Sequence, residues 1–171
     1  MNTGTFTPKI QEILSKVWGP LLTIETQKQY VRSIVLSEDQ TICGLFLNHK
    51  LIASAGVQYN YSKAFIENTS LTDTCMATHG RFVLEKENRG KGYGKTLIWA
   101  TVNYINKNIG TEWFGGKINK MNIASIKSDV SCGYDIMYEG NDNVKLAIHI
   151  NKLKHPKKIS NIVYRDISSL C

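Results

Sequence analysis

The sequence is short of the residues that break, staple or span a fold. It has three prolines and four cysteines in 171 residues. So few prolines, with 42% hydrophobic and 20% charged residues, exclude collagen-like repetition and wholesale disorder. The cysteines, Cys43, Cys75, Cys132 and Cys171, form no CxxC pair and stand far apart. That spacing matches no zinc pattern, so the sequence predicts reduced, mostly buried thiols and no metal. No apolar run nears the roughly 18 residues of a spanning helix. Residues 1–8 lack the charged-then-apolar order of a signal peptide, and the expected location is cytoplasmic. No repeat is present. The length suits one domain over residues 1–171, with a basic segment at about 151–171.

Acidic charge is also in short supply. Lys and Arg total 21 against 14 Asp and Glu, a net charge of +7. Lys152, Lys154, Lys157 and Lys158 carry much of the surplus. A basic excess suits nucleic acid, a membrane surface or a phosphate-bearing ligand. No aromatic residues interleave with these lysines to stack on bases, so the stretch reads as a solvated tail. Neither nucleic acid nor a membrane is the expected partner.

Hydrophobic periodicity orders the rest. Thr7 and Pro8 open a helix whose apolar face is Ile10, Ile13, Leu14 and Val17, and Gly19-Pro20 ends it. A second amphipathic helix covers about 23–36. β-rich runs follow at 41–47 and 51–59, with Asn48, His49 and Lys50 between them as a hairpin turn. A short strand is expected at 63–67, a polar loop at 68–74 and a strand at 75–84. Leu97, Ile98, Val102, Ile105 and Ile109 mark a helix ended by Gly110. A strand at 112–118, a short helix at 122–131 closed by Gly133, and strands at 134–139 and 144–150 complete the order. Helices and strands mixed in this way predict an α/β (mixed α+β) domain, not an all-parallel sheet.

The segment between the strand at 75–84 and the following helix carries the chemistry. It reads Asn88-Arg89-Gly90-Lys91-Gly92-Tyr93-Gly94-Lys95-Thr96. Alternating glycines permit positive φ and let an anion approach the backbone. The helix start adds N–H groups and the positive end of its dipole. With Arg89, Lys91 and Lys95, this makes a phosphate site, most readily for a diphosphate. The dinucleotide fingerprint would need glycine at 95, where lysine stands, and the nucleotide P-loop would need it at 89, where arginine stands.

Arg89-x-x-Gly92-x-Gly94 resembles the Arg/Gln-x-x-Gly-x-Gly/Ala signature of the Gcn5-related N-acetyltransferase family. The strand before it, Gly80-Arg81-Phe82-Val83-Leu84, is similar to that family's approach to the loop. Asn122-Ile123-Ala124-Ser125 followed by Gly133-Tyr134 resembles its second motif. The resemblance is strongest over residues 80–150. It implies a mixed, mostly antiparallel sheet of about six to seven strands with a splayed central strand pair, flanked by about four helices. It also implies acetyl-coenzyme A as co-substrate and direct acetyl transfer to a primary amine. Arg89, Gly90, Lys91, Gly92, Tyr93, Gly94 and Lys95 would hold the diphosphate. The backbone of Phe82, Val83 and Leu84 would hold the pantetheine arm, with Asn122 and Ser125 beside it.

The family's usual proton donor is a tyrosine seven residues after the asparagine. Here that position is Asp129, which reads as a surface helix residue and a poor acid unless burial raises its pKa. Tyr134 and Tyr138 are alternative donors. His79 is the titrating group on the strand that often carries the base, with Thr78 beside it. Glu85 and Glu87 read as solvated. Tyr30, Tyr138 and His149 belong to elements that would shape the acceptor pocket. The resemblance implies a small-molecule amine acceptor (amino sugar, amino acid or another amine) and a monomer or homodimer. The alternatives are a non-catalytic acyl-coenzyme A-binding or regulatory module, and an acetyltransferase acting on a protein or nucleic-acid-associated amine.

Overall fold

The computed structural model describes residues 40–58, 63–71, 76–84, 86–157 and 161–167. The two helices expected within residues 7–36, Tyr30 among them, lie outside these, as do Cys75, Glu85 and Cys171.

Strand β1 (Gln40–Leu47) and strand β2 (Lys50–Gln58) form the expected hairpin. Its turn residues, Asn48 and His49, have φ of 48° and 66°. Two consecutive left-handed residues give the turn a twist that matches the strands it joins. Residues 63–67 depart from expectation. Instead of a strand they contain a single helical turn, α1 (Lys63–Ile66). Thr69 closes it, its N–H and its hydroxyl donating to the Ile66 carbonyl at 2.9 and 2.7 Å. Local capping outweighs the β character of these residues, and Phe65 is buried beside Ala147 and Trp113.

Strand β3 (Met76–Leu84) leads through a short 3₁₀ turn (Lys86–Asn88) to helix α2 (Tyr93–Ile109). Gly110 ends α2 at φ 76°, its N–H donating to the Asn106 carbonyl at 2.8 Å. Strand β4 (Trp113–Asn119), helix α3 (Ile123–Cys132), strands β5 (Asp135–Glu139) and β6 (Asn143–His149) follow as expected. A 3₁₀ turn (Ile150–Lys152) then leads to a final strand, β7 (Ile162–Asp166), inside the segment expected to be a basic tail. The segment is therefore not wholly a solvated tail. β7 pairs with β1, and the Tyr164 hydroxyl donates to Thr101 Oγ1 of α2 at 2.7 Å. Asp166 accepts from Thr41 at 2.9 Å and from Tyr104 at 3.4 Å.

Among the described residues seven strands form one sheet in the order β5-β6-β4-β3-β2-β1-β7. Every neighbouring pair is antiparallel except β3 and β4. Helices α2 and α3 cover one face. Their apolar residues Ile98, Val102, Ile105 and Cys132 pack with Val57, Phe114, Leu146 and Ile148 of the sheet. On β6, Val144, Leu146 and Ile148 belong to that core. The alternate residues Lys145, Ala147 and His149 lie on the opposite face, with α1. The Lys145 ammonium donates to the Glu67 carbonyl at 2.7 Å and sits 5.3 Å from the Tyr138 ring centroid.

Candidate active site

The two parallel strands are paired at Met76–Trp113, Ala77–Phe114 and Thr78–Gly115, and then they part. The rest of β3 continues along β2, and the rest of β4 along β6. A gap therefore opens in the middle of the sheet towards the carboxyl ends of both strands, the place where open mixed sheets receive ligands. His79 is the first residue of β3 beyond the last paired position, so its backbone lies at the apex of the gap. Further along β3 a single β2 residue, Ala55, spans two of β3, Arg81 and Phe82. That bulge re-aims the backbone ahead of Phe82, Val83 and Leu84 on the edge that faces the gap.

Each parted strand leads into a helix, β3 into α2 and β4 into α3. After β3, Gly90 and Gly92 take φ of 75° and 89°. A residue with a Cβ would be strained at both positions, so the loop requires glycine there. Gly92 is also the N-cap of α2, and no side chain caps that end, so the first N–H groups of the helix are left for a ligand. Gly94 sits within the first helical turn and does not share the left-handed backbone. A Cβ there would lie 3.6 Å from Ser128 Oγ of α3, in ordinary van der Waals contact, so the two helices pass close together at this point. Lys91 and Lys95 are exposed, and the Arg89 Nε–H donates to the Leu84 carbonyl at 3.2 Å, which ties the loop to the end of β3. Tyr93 packs below, against the cluster around Leu45, Ile52 and Leu97. Glu87 is exposed, as expected.

After β4, Asn122 caps α3. Its Oδ1 accepts from the Ser125 N–H at 3.2 Å, so a residue expected beside a ligand arm also starts the helix. At the far end Gly133 takes φ 110°, and the Tyr134 N–H donates to the Asp129 carbonyl at 3.2 Å. A Cβ on Gly133 would collide with the Lys152 carbonyl, so the chain after β6 is laid directly over this turn.

Asp129 is the main departure from the sequence reading. It is not a surface residue: it is 1% exposed, on the face of α3 that looks into the core. Its Oδ1 has no hydrogen-bond partner. Burial raises the carboxyl from its ordinary 3.8 to about 7, which makes it a usable acid at neutral pH. Tyr134 is 3% exposed within the main core, and burial followed by the charges of Asp129 and Cys132 raises its phenol well above the ordinary range. Cys132 is a buried free thiol, raised to about 11 chiefly by burial and then by Asp129.

The loop opens α2 and Asn122 opens α3, both after the strands that part, while Asp129 and Tyr134 lie in the core behind α3. Tyr138 and His149 lie on the opposite face of the sheet. His149 is engaged on both ring nitrogens: Nε2 lies 3.5 Å from Glu112, and Nδ1 accepts from the Asn151 N–H at 3.3 Å. Sequence reasoning does not single out Ser128; the signal that finds it is its place one turn beyond Ser125 on the same helix. Among the described residues no cluster of His, Cys, Asp and Glu could hold a metal, and no helix is long and apolar enough to cross a membrane.

No protein-family model matches the sequence, and no curated protein matches it. Solved structures do. The N-acetyltransferase PseH of Campylobacter jejuni, solved with acetyl-coenzyme A, is 12% identical with a TM-score of 0.62, over 85% of this chain and 94% of that one. An acetyltransferase from Thermus thermophilus is 15% identical with a TM-score of 0.66, over 84% and 92%. The aminoglycoside acetyltransferase AAC(6')-Ib with coenzyme A is 17% identical with a TM-score of 0.64, over 84% and 89%. What these proteins share with the chain at such low identity is architecture, and that architecture is the Gcn5-related N-acetyltransferase fold.

Proposed function

We propose that the chain is an acetyltransferase that moves an acetyl group from acetyl-coenzyme A to a primary amine of a small molecule. The observation that carries this reading is the gap between β3 and β4, which opens beside the left-handed glycines of an uncapped helix start. A diphosphate fits that helix start, and an extended amide-bearing arm fits the free strand edge of Phe82, Val83 and Leu84. Similar structures were solved with acetyl-coenzyme A or coenzyme A.

Bound acetyl-coenzyme A would supply a thioester near the apex of the gap. There the amine nitrogen bonds to the acetyl carbon, the carbon–sulfur bond breaks, the amine gives up a proton and the departing sulfur takes one. Holding the two reactants together supplies on the order of 7–11 kcal/mol of the barrier. We assign the proton for sulfur to Asp129, directly or through a water, since burial raises its carboxyl to about 7. Tyr134, buried beside Asp129 with its phenol raised and so kept protonated, is the second candidate donor. His79, at the apex, is the proposed base. The acceptor approaches from the face opposite α2 and α3, where Phe65, Trp113 and Tyr138 lie. Ribostamycin and spermidine feature in the names of similar structures, so amines are the class to screen. The buried thiols of Cys43 and Cys132 suit a reducing, cytoplasmic setting.

Titration calorimetry with acetyl-coenzyme A, followed by thiol release across an amine panel, tests the reading. Binding with turnover on at least one amine supports it. No binding at high micromolar donor removes it, and binding without turnover on any amine leaves a coenzyme-binding module instead.

A further inference from the structure

The face of the sheet opposite α2 and α3 carries two lysines side by side. The register of β4 and β6 sets Trp113 opposite His149, Gly115 opposite Ala147 and Lys117 opposite Lys145. Residues directly opposite one another share a face, so Lys117 stands with Lys145 on the side of α1. Gly115 is the last residue of β4 paired with β3, and it puts no side chain on this face. Lys117 follows two residues later, about 7 Å further along the strand. It therefore stands on the rim of the gap, where β4 has parted from β3.

Like charges directly opposite in a sheet cost stability, so this pair needs a reason. Lys145 is 7% exposed and firmly placed. Its ammonium donates to the Glu67 carbonyl at 2.7 Å and lies 5.3 and 5.9 Å from the ring centroids of Tyr138 and Phe65. Tyr138 is its register partner on β5. Lys117 is exposed and has no ion-pair partner among the described residues. The carboxylates around these strands are turned to other cations. Asp135 is held by Lys152 at 2.7 Å, Glu139 lies 3.7 Å from Lys120, and Glu112 lies 3.5 Å from His149. A fixed cation beside a movable one gives the rim of the gap a positive potential that an anionic group would relieve.

We infer that Lys117 and Lys145 form a specificity subsite for an anionic group, a carboxylate or a phosphate, carried by the acceptor amine. This rests on the acetyltransferase reading above. Lys117 makes the direct contact, and Lys145 supplies a fixed charge behind it, walled by Tyr138 and Phe65. With the reacting nitrogen at the apex of the gap, the anion sits roughly 7 Å away, the rise of two strand residues. The acceptor class is then an amine that ends in an anion several bonds away: an ω-amino acid, or a phosphorylated amino alcohol or amino sugar. The same two charges disfavour a polyamine.

Thiol release with matched amines tests this. The pairs are 5-aminopentanoate with pentylamine, and 3-aminopropyl phosphate with 3-aminopropanol; the better anionic member tells carboxylate from phosphate. A charge-assisted contact predicts that kcat/KM for at least one anionic member exceeds that of its neutral partner about 10- to 100-fold. Lys117→Glu, a change at an exposed site, brings that ratio to one or below by slowing the anionic substrate alone, and leaves the affinity for acetyl-coenzyme A by calorimetry unchanged. Turnover of neutral amines or polyamines with no anionic preference, or an unchanged ratio in Lys117→Glu, overturns the subsite while leaving the acetyltransferase reading in place. Failure of the wild type to bind acetyl-coenzyme A, or binding with no turnover of any amine, overturns that reading and the subsite together.

Discussion

Replacing Asp129 by asparagine should make the protein more stable and less active, and the two effects should follow pH differently. The carboxyl is 1% exposed, its Oδ1 is unpartnered, and burial moves it from 3.8 to about 7. At about 1.4 kcal/mol for each tenfold change in proton affinity, ionising it inside the fold costs about 4 kcal/mol. The folded value is the higher one. The stability it contributes is therefore fully present below pH 4 and is lost as pH rises towards 7. Asparagine has a similar shape and does not ionise. The variant should match the wild type near pH 4, gain progressively above it, and lead by about 2–4 kcal/mol at pH 8, or about 10 °C in Tm for a chain of this size. Urea unfolding at pH 4, 6 and 8 measures the difference. If Asp129 is the acid, the wild-type kcat also falls as pH passes about 7, and the variant loses that limb along with most of its rate. A stability difference that is the same at pH 4 and pH 8, or a loss at pH 8, would refute the burial argument.

Other outcomes follow from single positions. Gly92→Ala forces a Cβ into φ 89°, costs about 1–2 kcal/mol and weakens acetyl-coenzyme A binding at least tenfold by calorimetry. Gly133→Ala combines φ 110° with a collision against the Lys152 carbonyl, so thermal unfolding should show a loss of about 2–4 kcal/mol. Tyr164→Phe removes the hydroxyl that bridges β7 to Thr101, and denaturant unfolding should report a loss of about 1 kcal/mol with no effect on coenzyme affinity.

The glycine loop and the two helix ends are legible because they depend on local rules. Gly92, Gly110 and Gly133 are left-handed in the structure, and each stands where the sequence ends or begins a helix, while Gly90 shares that backbone within the loop. Asn122 is equally readable, as a polar cap ahead of an apolar run. What fails depends on distant neighbours. Asp129 reads as a surface residue because a charge normally marks a solvated face, yet it shares the buried side of α3 with Cys132. The helix at Lys63–Ile66 depends on Thr69 and on a pocket made by β4 and β6. β7 is five residues long and mixes Arg165 and Asp166 with its apolar residues. Its partner β1 lies more than a hundred residues earlier, and no local pattern reveals that pairing.

Three rungs between β3 and β4 are all that make two smaller sheets into one. On one side β4, β6 and β5 form a unit, and on the other β3, β2, β1 and β7 form another. Each unit is stitched along most of its own length, so the line between them is the weakest seam in the backbone ladder. A guest lying along that seam would share hydrogen bonds with both halves and act as a temporary strand. By mass action such a guest would stabilise the folded chain, and most of all at this seam.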